Sequence, residues 1–232
     1  MGCKSLFVTA TGTDVGKTYI SALLVKKMRD FGLNCGYYKP ALSGATVNND
    51  SSLCPGDCDF VVKTAGLNVS PVTCVTYCFK EAVSPHLAAS RLGVKISVDE
   101  IKADFRRHKN EYDFLVVEGA GGITCPFRLD DEKLLLPDVI TELGTDVLLV
   151  ADGGLGTINS VLLTVEYAKT RGLNIRGIIL NNYDKNNFMH IDNKTQVEVL
   201  TGIKVIAVVE KNAVDLNICK SCLIDLFTPK EG

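Results

Sequence analysis

The chain has 232 residues with a formal net charge of −2 at pH 7, and 46% of its residues are hydrophobic. This length and hydrophobic content fit a globular protein with a sizeable core, while the absence of a basic stripe argues against nucleic acid as a partner. No apolar run approaches the roughly 20 residues that a membrane span needs. The first predicted strand begins too near the N-terminus for a signal peptide, so we expect a cytoplasmic protein without a membrane partner.

Nine cysteines occur in the chain, and in the cytoplasm we expect reduced thiols. They include three close pairs: Cys54 and Cys58, Cys74 and Cys78, and Cys219 and Cys222. The first two pairs could together supply four thiolates to zinc. No histidine stands near either pair at ligand spacing, however, and cysteine often serves as a small apolar residue. The sequence therefore favours a packing role over a zinc site.

An apolar run at Leu6–Val8 predicts the first strand, and the glycine-bearing stretch from Thr9 to Thr18 leads from it into a helix. A loop between strand and helix directs backbone N–H groups and a helix N-terminus at one point, which favours phosphate binding. Lys17 would reach the outer phosphates, and the Thr18 hydroxyl would bind Mg²⁺. Thr11 stands where the full phosphate-loop pattern has glycine, so the match is partial.

The next segment completes a strand–helix–strand unit. Apolar residues recur at helical spacing over 19–31, and Cys35–Pro40 is typical of a second strand that ends in a proline. Such a unit implies a parallel sheet. Lys39 then lies at the carboxyl end of a strand, where open α/β sheets bind ligands. By itself Lys39 would be a solvated strand-end lysine, but beside the phosphate loop it becomes a candidate second cation for phosphate.

Residues 43–56 are polar and rich in turn-forming residues, which predicts a mobile surface loop. Asp57 and Asp59 then open a helix that runs to Thr64. Acidic residues at a helix start act through capping and the helix dipole. The alternative is that one of the two aspartates helps to hold Mg²⁺, and their spacing alone does not choose between these roles.

A helix and a buried strand are predicted next. Val98–His108 is typical of an amphipathic helix, and we expect His108 to be solvated because its neighbours are polar. Phe114–Val117 is apolar without alternation, as in a parallel sheet with both faces buried. In P-loop enzymes a strand near the first commonly ends in an acidic residue that orders Mg²⁺, and Glu118 fits that role. The glycines that follow would let a ligand approach the backbone closely.

Three further strands are predicted at Asp146–Ala151, Ile175–Leu180 and Val205–Val209. A glycine-rich turn and a helix follow the first of them. The second ends in Asn181, whose amide could pair with a purine edge or simply form a turn. Strands and helices alternate throughout, without a repeat or a linker. The sequence therefore predicts one doubly wound α/β domain that spans residues 1–232.

Several of these motifs together resemble the dethiobiotin synthetases, the ATP-dependent ligases of biotin biosynthesis. Five stretches carry the resemblance: Thr13–Thr18, Tyr38–Pro40 with Ser43-Gly44, Ser84–His86, Val117–Gly122 and Leu155–Asn159. The resemblance implies a P-loop NTPase fold, with a mainly parallel seven-stranded sheet and helices on both faces, in a homodimer. It also implies ATP as co-substrate with Mg²⁺, and 7,8-diaminononanoate and CO₂ or bicarbonate as small-molecule substrates.

The implied reaction carboxylates the diamine and closes a ureido ring. One amine forms a carbamate, ATP phosphorylates the carbamate to a carbamic–phosphoric anhydride, and the second amine closes the ring on that anhydride. Dethiobiotin, ADP and phosphate are the products, so the resemblance implies a cyclo-ligase that acts in one P-loop ligase domain.

The resemblance also implies roles for individual residues. The implied catalytic residues are Lys39, Lys17 and Thr13. The implied nucleotide-binding residues are Thr13, Asp14, Val15, Gly16, Lys17, Thr18, Glu118, Gly119, Gly121 and Asn181, and Asn181 would read the adenine. The implied metal ligands are Thr18, Glu118 and Asp57, which its position favours over Asp59. The implied substrate-binding residues are Thr13, Lys39 and Ser43, with Leu155, Gly156 and Asn159 reaching across the dimer to the substrate's carboxylate.

Two other classes of P-loop protein are alternatives. A cobyrinic or cobyric acid synthetase needs a glutamine-hydrolysing domain, and the predicted sheet uses the whole chain, which leaves no room for one. A regulatory ATPase switch of the partitioning or septum-placement type carries an extra lysine early in its phosphate loop, where this chain has Gly12. No terminal amphipathic anchor is visible either, so the switch is the weaker hypothesis.

Overall fold

The structure is a computed structural model that describes residues 2–228. Its strands are β1 (Lys4–Ala10), β2 (Cys35–Ser43), β3 (Thr46–Val47), β4 (Leu53–Cys54), β5 (Val75–Phe79), β6 (Phe114–Glu118), β7 (Pro126–Leu129), β8 (Lys133–Leu135), β9 (Asp146–Asp152), β10 (Ile175–Asn181) and β11 (Val205–Val208). Its helices are α1 (Lys17–Asp30), α2 (Gly56–Ala65), α3 (Pro85–Arg91), α4 (Val98–Glu111), α5 (Leu136–Leu143), α6 (Thr157–Thr170), α7 (Phe188–Thr201) and α8 (Lys220–Phe227). Over residues 2–228, no helix combines the length and the hydropathy needed to cross a membrane.

Seven of the strands form one sheet in the order β11-β10-β9-β1-β6-β2-β5, and every neighbouring pair runs parallel. The first strand lies in the middle, where Val8 is opposite Glu118 on one side and Leu148 on the other. The loop after β1 therefore emerges at the centre of the sheet's carboxyl edge. The predicted fold class, a doubly wound and mainly parallel seven-stranded sheet, is confirmed.

Alternate side chains of β1 enter two cores on opposite faces of the sheet. Leu6 and Val8 lie in the core beneath α1, α2 and α8, whereas Phe7 lies in the core beneath α3, α4 and α5. Helices α6 and α7 cover the remaining strands through residues such as Val161 and Val197. Because both faces are covered, the strands are apolar without alternation, as the sequence predicted.

The second strand is longer than predicted. It continues through Pro40 to Ser43, so Lys39 lies within the strand and not at its end. The prediction is wrong because β2 changes partners: its pairing with β6 ends at Tyr38, and its pairing with β5 begins at Lys39. Pro40 follows the last residue that pairs with β6, so its missing N–H breaks no bond to that strand. Relative to β6, Lys39 still stands at the carboxyl edge.

Residues 43–56 lie mostly at the surface, as predicted, but they are not irregular throughout. They contain a small antiparallel ribbon in which Thr46 pairs with Cys54 and Val47 pairs with Leu53. Asn48 and Ser52 close the turn of the ribbon through a backbone hydrogen bond of 2.9 Å. The turn-forming residues therefore make a hairpin tip, whose short strands carry too little periodicity to be read from sequence.

His108 is buried, with 3% of its surface exposed, and not solvated as predicted. It lies on the inner face of α4, three residues after Phe105 and seven after Ile101, and its ring packs 5.1 Å from that of Tyr38. Its neighbours in sequence are polar, but its neighbours at helical spacing are apolar. The helical spacing decides burial.

The cysteines behave in two ways. Cys58 and Cys74 are free thiols that pack in the apolar core, which confirms the packing role for these two. Cys219 and Cys222, in contrast, form a disulfide across the start of α8, with their Cα atoms 5.3 Å apart. The expectation of reduced thiols is wrong for this pair, because the first turn of the helix brings the two side chains together.

Candidate active site

The loop between β1 and α1 wraps around an open point above the sheet. Asp14 and Gly16 both adopt left-handed backbone conformations, with φ of 61° and 94°. Gly16 is the N-cap of α1 and supplies no side-chain cap to the helix. The first N–H groups of α1 are thus free of a side-chain cap within the described part of the chain. Together with the helix dipole they favour an anion at this point.

Lys17 crosses back over this loop. Its Nζ donates a 3.0 Å hydrogen bond to the backbone oxygen of Gly12. Burial, followed by the positive charge of nearby Lys39, lowers the pKa of Lys17 below its usual value. The charges of Glu118 and Asp57 act in the opposite direction on Lys17, and an anion bound beside the loop would likewise favour its charged form.

Lys39 lies at the centre of a charged cluster. Its ammonium group is 2.6 Å from Glu118 Oε1 and 3.0 Å from Asp57 Oδ2, and the Thr18 hydroxyl donates a 2.7 Å bond to the same oxygen of Glu118. Burial would lower the pKa of Lys39, but the charges of Glu118 and Asp57 more than offset this and hold the pKa above its usual value. Lys39 is therefore charged throughout the physiological pH range.

The structure separates the two aspartates at the start of α2. Asp57 faces the cluster, whereas Asp59 Oδ2 pairs with Lys63 at 2.6 Å on the helix surface. Two residues along a helix correspond to a rotation of about 200°, so the two carboxylates point in different directions. Asp57 and Glu118, with the Thr18 hydroxyl, bring oxygen donors together at Lys39.

Sequence reasoning missed Tyr37, which holds the other oxygen of the same carboxylate. The Tyr37 hydroxyl donates a 2.8 Å hydrogen bond to Glu118 Oε2. Burial, followed by the charge of Glu118, holds the pKa of Tyr37 well above its usual value, so the phenol keeps its proton. One signal could have found it, because Tyr37 precedes Lys39 by two residues and strand side chains two apart share a face.

A cleft of about 990 Å³ opens over this cluster. Its lining includes ten of the predicted site residues: Thr13, Asp14, Gly16, Lys17, Thr18, Lys39, Ser43, Asp57, Glu118 and Gly121. Ser43 Oγ is buried at this wall without a hydrogen-bond partner among the described residues. A buried hydroxyl without a partner has a desolvation cost that a bound ligand could remove.

Other predicted site residues lie outside the cleft. Gly119 turns towards the core, where a Cβ would stand 2.9 Å from the Phe7 ring, so its small size serves packing. Asn181 is buried behind the phosphate loop, and its Nδ2 donates a 3.0 Å bond to the backbone oxygen of Val15. These residues support the loop and the strand end, and their predicted contacts with nucleotide stay predictions.

The turn before α6 is also away from the cleft. Leu155 is 92% exposed, an unusual state for a leucine, and Asn159 is exposed one helical turn further on. Gly156 holds the turn with a left-handed φ of 88°. Over residues 2–228 of one chain, these three predicted substrate-binding residues therefore do not line the cleft.

The sheet, the loop at its centre and the carboxylate at the end of the neighbouring strand define a P-loop nucleotide-binding protein. A family model described as an AAA domain matches residues 4–215. Two solved structures share the fold at low sequence identity. A ParA family ATPase from Chlorobium tepidum TLS gives a TM-score of 0.53 at 13% identity, over 91% of this chain and 85% of that one. The MinC:MinD cell division complex from Aquifex aeolicus gives a TM-score of 0.53 at 12% identity, over 90% of this chain and 82% of that one.

Curated relatives are far closer in sequence. The chain is 52% identical over 202 residues to an ATP-dependent dethiobiotin synthetase BioD of Clostridium botulinum strain Eklund 17B. The matched region covers 87% of this chain and 88% of the relative. It is 46% identical over 224 residues to the enzyme of the same name from strain 657, over 97% and 98% of the two chains. The chain belongs to the ATP-dependent dethiobiotin synthetase family.

Proposed function

We propose that this protein uses ATP to convert 7,8-diaminononanoate and CO₂ into dethiobiotin, with release of ADP and phosphate. The observation that carries the proposal is the Lys39 ammonium group, held 2.6 Å from Glu118 and 3.0 Å from Asp57 beside the phosphate loop. A family of ATP-dependent dethiobiotin synthetases and a cleft lined by these residues support it. The whole chain acts as one ligase domain, and the alternation of strands and helices around a single seven-stranded sheet supports this.

Phosphoryl transfer depends mainly on positioning and on charge neutralisation. Lys17 and the loop N–H groups bind the β and γ phosphates of ATP. Lys39 then faces the carbamate that one amine of the substrate forms with CO₂. The carbamate is already anionic, so its attack on the γ phosphate needs no general base. Negative charge grows on the transferring group, and the fixed positive charges of both lysines stabilise it.

We infer three further contacts with the substrates. Ser43 and Thr13 contact the diamine and its carbamate, a role that the partnerless Ser43 hydroxyl at the cleft wall supports. Asn181 reads the adenine, because its Nδ2 is used by Val15 while its carbonyl oxygen can accept from an exocyclic amine. The second amine then closes the ureido ring and displaces phosphate.

The donor set of the charged cluster fits a magnesium ion. Thr18, Asp57 and Glu118 offer a hydroxyl and two carboxylates, the oxygen ligands that Mg²⁺ prefers. These three residues would hold the ion, which supplies charge neutralisation at the phosphates when bound. The Lys39 ammonium lies within 3.0 Å of both carboxylates, and this supports a role for Asp57 and Glu118 in surrounding positive charge.

A homodimer would complete the substrate site. We infer that Leu155, Gly156 and Asn159 of one subunit reach the carboxylate of the substrate bound to its partner. Two observations support this inference: Leu155 is 92% exposed, and the turn is separate from the cleft of its own chain. We place the reaction in the cytoplasm, which the seven free cysteines support and the Cys219–Cys222 disulfide does not.

The test is ADP release by purified protein with MgATP and bicarbonate, with and without 7,8-diaminononanoate. We expect strong stimulation by the diamine, and a product whose mass exceeds that of the diamine by one carbonyl in place of two hydrogens. The Lys39→Ala variant is the matched control, because it should bind ATP and form product about a hundredfold or more slowly. ATP hydrolysis at the same rate with and without the diamine would contradict the proposal. A regulatory ATPase would then become the leading hypothesis.

A further inference from the structure

Glu118 has no exposed surface, and each of its oxygens has a different set of partners. Oε1 faces the cleft and meets Thr18 at 2.7 Å and Lys39 at 2.6 Å. Oε2 faces away from the cleft and accepts a 2.8 Å hydrogen bond from the Tyr37 hydroxyl. Tyr37 is itself 1% exposed and does not line the cleft. It therefore touches the site only through this carboxylate.

The hydrogen bond fixes the orientation of the carboxylate. Without a donor at Oε2, the plane of the carboxylate could rotate about its last bond, and a buried charged oxygen would be left without a partner. With the donor in place, only Oε1 is presented to the cleft. The phenol ring cannot shift to follow a rotating carboxylate, because the side chain is packed in the core between strand and helices. Glu118 is therefore held in one orientation before any ligand arrives.

We propose that Tyr37 is a positioning residue that orients Glu118 for Mg²⁺ and so sets the affinity of the site for the metal. This inference rests on the magnesium site proposed above, and it adds a residue that makes no contact with nucleotide or substrate. Residues that hydrogen-bond a metal-binding carboxylate typically change metal affinity by about 10- to 100-fold when they are mutated. The loss of the Tyr37 hydroxyl should act at the metal and leave nucleotide binding without metal unchanged.

The neighbouring tyrosine provides a matched control. Tyr38 is equally buried and points to the opposite face of the same strand, where its hydroxyl lies 2.6 Å from Thr76 Oγ1 and 3.2 Å from the backbone oxygen of Ile101. Tyr37→Phe and Tyr38→Phe each remove one buried hydroxyl from adjacent positions of β2. Both should lower thermal stability, Tyr37→Phe by more because it leaves a buried carboxylate oxygen without a donor, but only Tyr37→Phe changes a contact to Glu118.

The experiment measures the affinity of the full chain for ADP by calorimetry, with and without Mg²⁺. In the unchanged protein we expect Mg²⁺ to tighten ADP binding. In Tyr37→Phe this tightening should fall by about tenfold or more, with the affinity for metal-free ADP unchanged. In Tyr38→Phe both affinities should match those of the unchanged protein. Turnover should show the same pattern. The Mg²⁺ concentration for half-maximal rate should rise only in Tyr37→Phe, and kcat at saturating Mg²⁺ should be retained.

Three results would overturn the inference, and they can be told apart. If Mg²⁺ tightens ADP binding equally in all three proteins, the magnesium site stands and Tyr37 has only a structural role. If Mg²⁺ has no effect on ADP binding in the unchanged protein, the magnesium site fails and the role of Tyr37 fails with it. A lower kcat with unchanged Mg²⁺ dependence in Tyr37→Phe would also contradict the inference, since it would place the effect on Lys39.

Discussion

Asn181 occupies the space that any side chain at position 16 would need. A Cβ on Gly16 would lie 2.1 Å from Asn181 Nδ2, the same nitrogen that bonds the backbone oxygen of Val15 at 3.0 Å. The end of β10 thus holds the phosphate loop in place, although β9 lies between β10 and β1 in the sheet. Gly16 also has a left-handed φ of 94°. Glycine is needed here for both its size and its backbone conformation.

Gly16→Ala should therefore weaken ADP binding by about tenfold or more, because a left-handed alanine costs about 1–2 kcal/mol and Asn181 must also move. Gly12→Ala is the control in the same loop, since a Cβ at Gly12 would meet nothing within 4 Å. Calorimetry of ADP binding checks both variants. Equal affinities for the two variants would show that the contact with Asn181 does not shape the loop.

Lys39→Ala should lower kcat by about a hundredfold or more, because a charge fixed for the transition state is removed, while ATP still binds. Thermal unfolding is measured in parallel, since Glu118 loses a buried partner. The control is Lys63→Ala, which removes an exposed lysine paired with Asp59. A rise in KM with unchanged kcat would contradict the assigned role.

Asp57→Asn should raise the Mg²⁺ concentration for half-maximal turnover by about tenfold or more, because one of two carboxylates at the proposed metal site is lost. Asp59→Asn makes the same chemical change two residues along the helix, where the carboxylate pairs with Lys63, and should leave the Mg²⁺ dependence unchanged. Steady-state rates at varied Mg²⁺ measure both. A larger effect at Asp59 would reverse the assignment.

Leu155→Asp should dissociate the proposed dimer. Burial of one leucine stabilises an interface by about 1.5–3 kcal/mol, and a two-fold axis uses the residue twice, so the dimer dissociation constant should rise by about a hundredfold or more. Sedimentation at several concentrations measures it. Leu92→Asp is the control, because Leu92 is 64% exposed at the end of α3. A protein that is monomeric before mutation would rule out this role for Leu155.

His108 should make the protein less stable in mild acid. Burial, and then the charge of Arg107, lowers the pKa of His108 below its usual 6.5. The unfolded chain binds this proton at about pH 6.5, so stability is fully present above that pH and is lost as the pH falls towards the lower folded pKa. Melting temperatures at pH 7.5 and 5.5 should differ less in His108→Gln. His190→Gln, which changes a half-buried histidine, is the control and should show the same difference in melting temperature as the unchanged protein.

Patterns among neighbouring residues were sufficient to predict much of the fold and part of the candidate site. The order of strands and helices, the phosphate loop with Lys17 and Thr18, and the position of Glu118 at a strand end could all be read from neighbouring residues. Each depends on periodicity or on a motif within about ten positions. A role for the exposed turn at Leu155 was inferred only through family resemblance, since in the described part of one chain the turn lies apart from the cleft.

Residues far apart in sequence set the remaining features. Tyr37 meets Glu118, 81 positions away, because β2 pairs with β6 in one register, and Tyr38 faces the other core for the same reason. Asp57 is distinguished from Asp59 by the rotation of α2 against the sheet. The sequence by itself determined which chemical groups are present at the carboxyl edge. Only the tertiary structure decided which of them touch, because strand register and helix rotation are fixed by packing over the whole core.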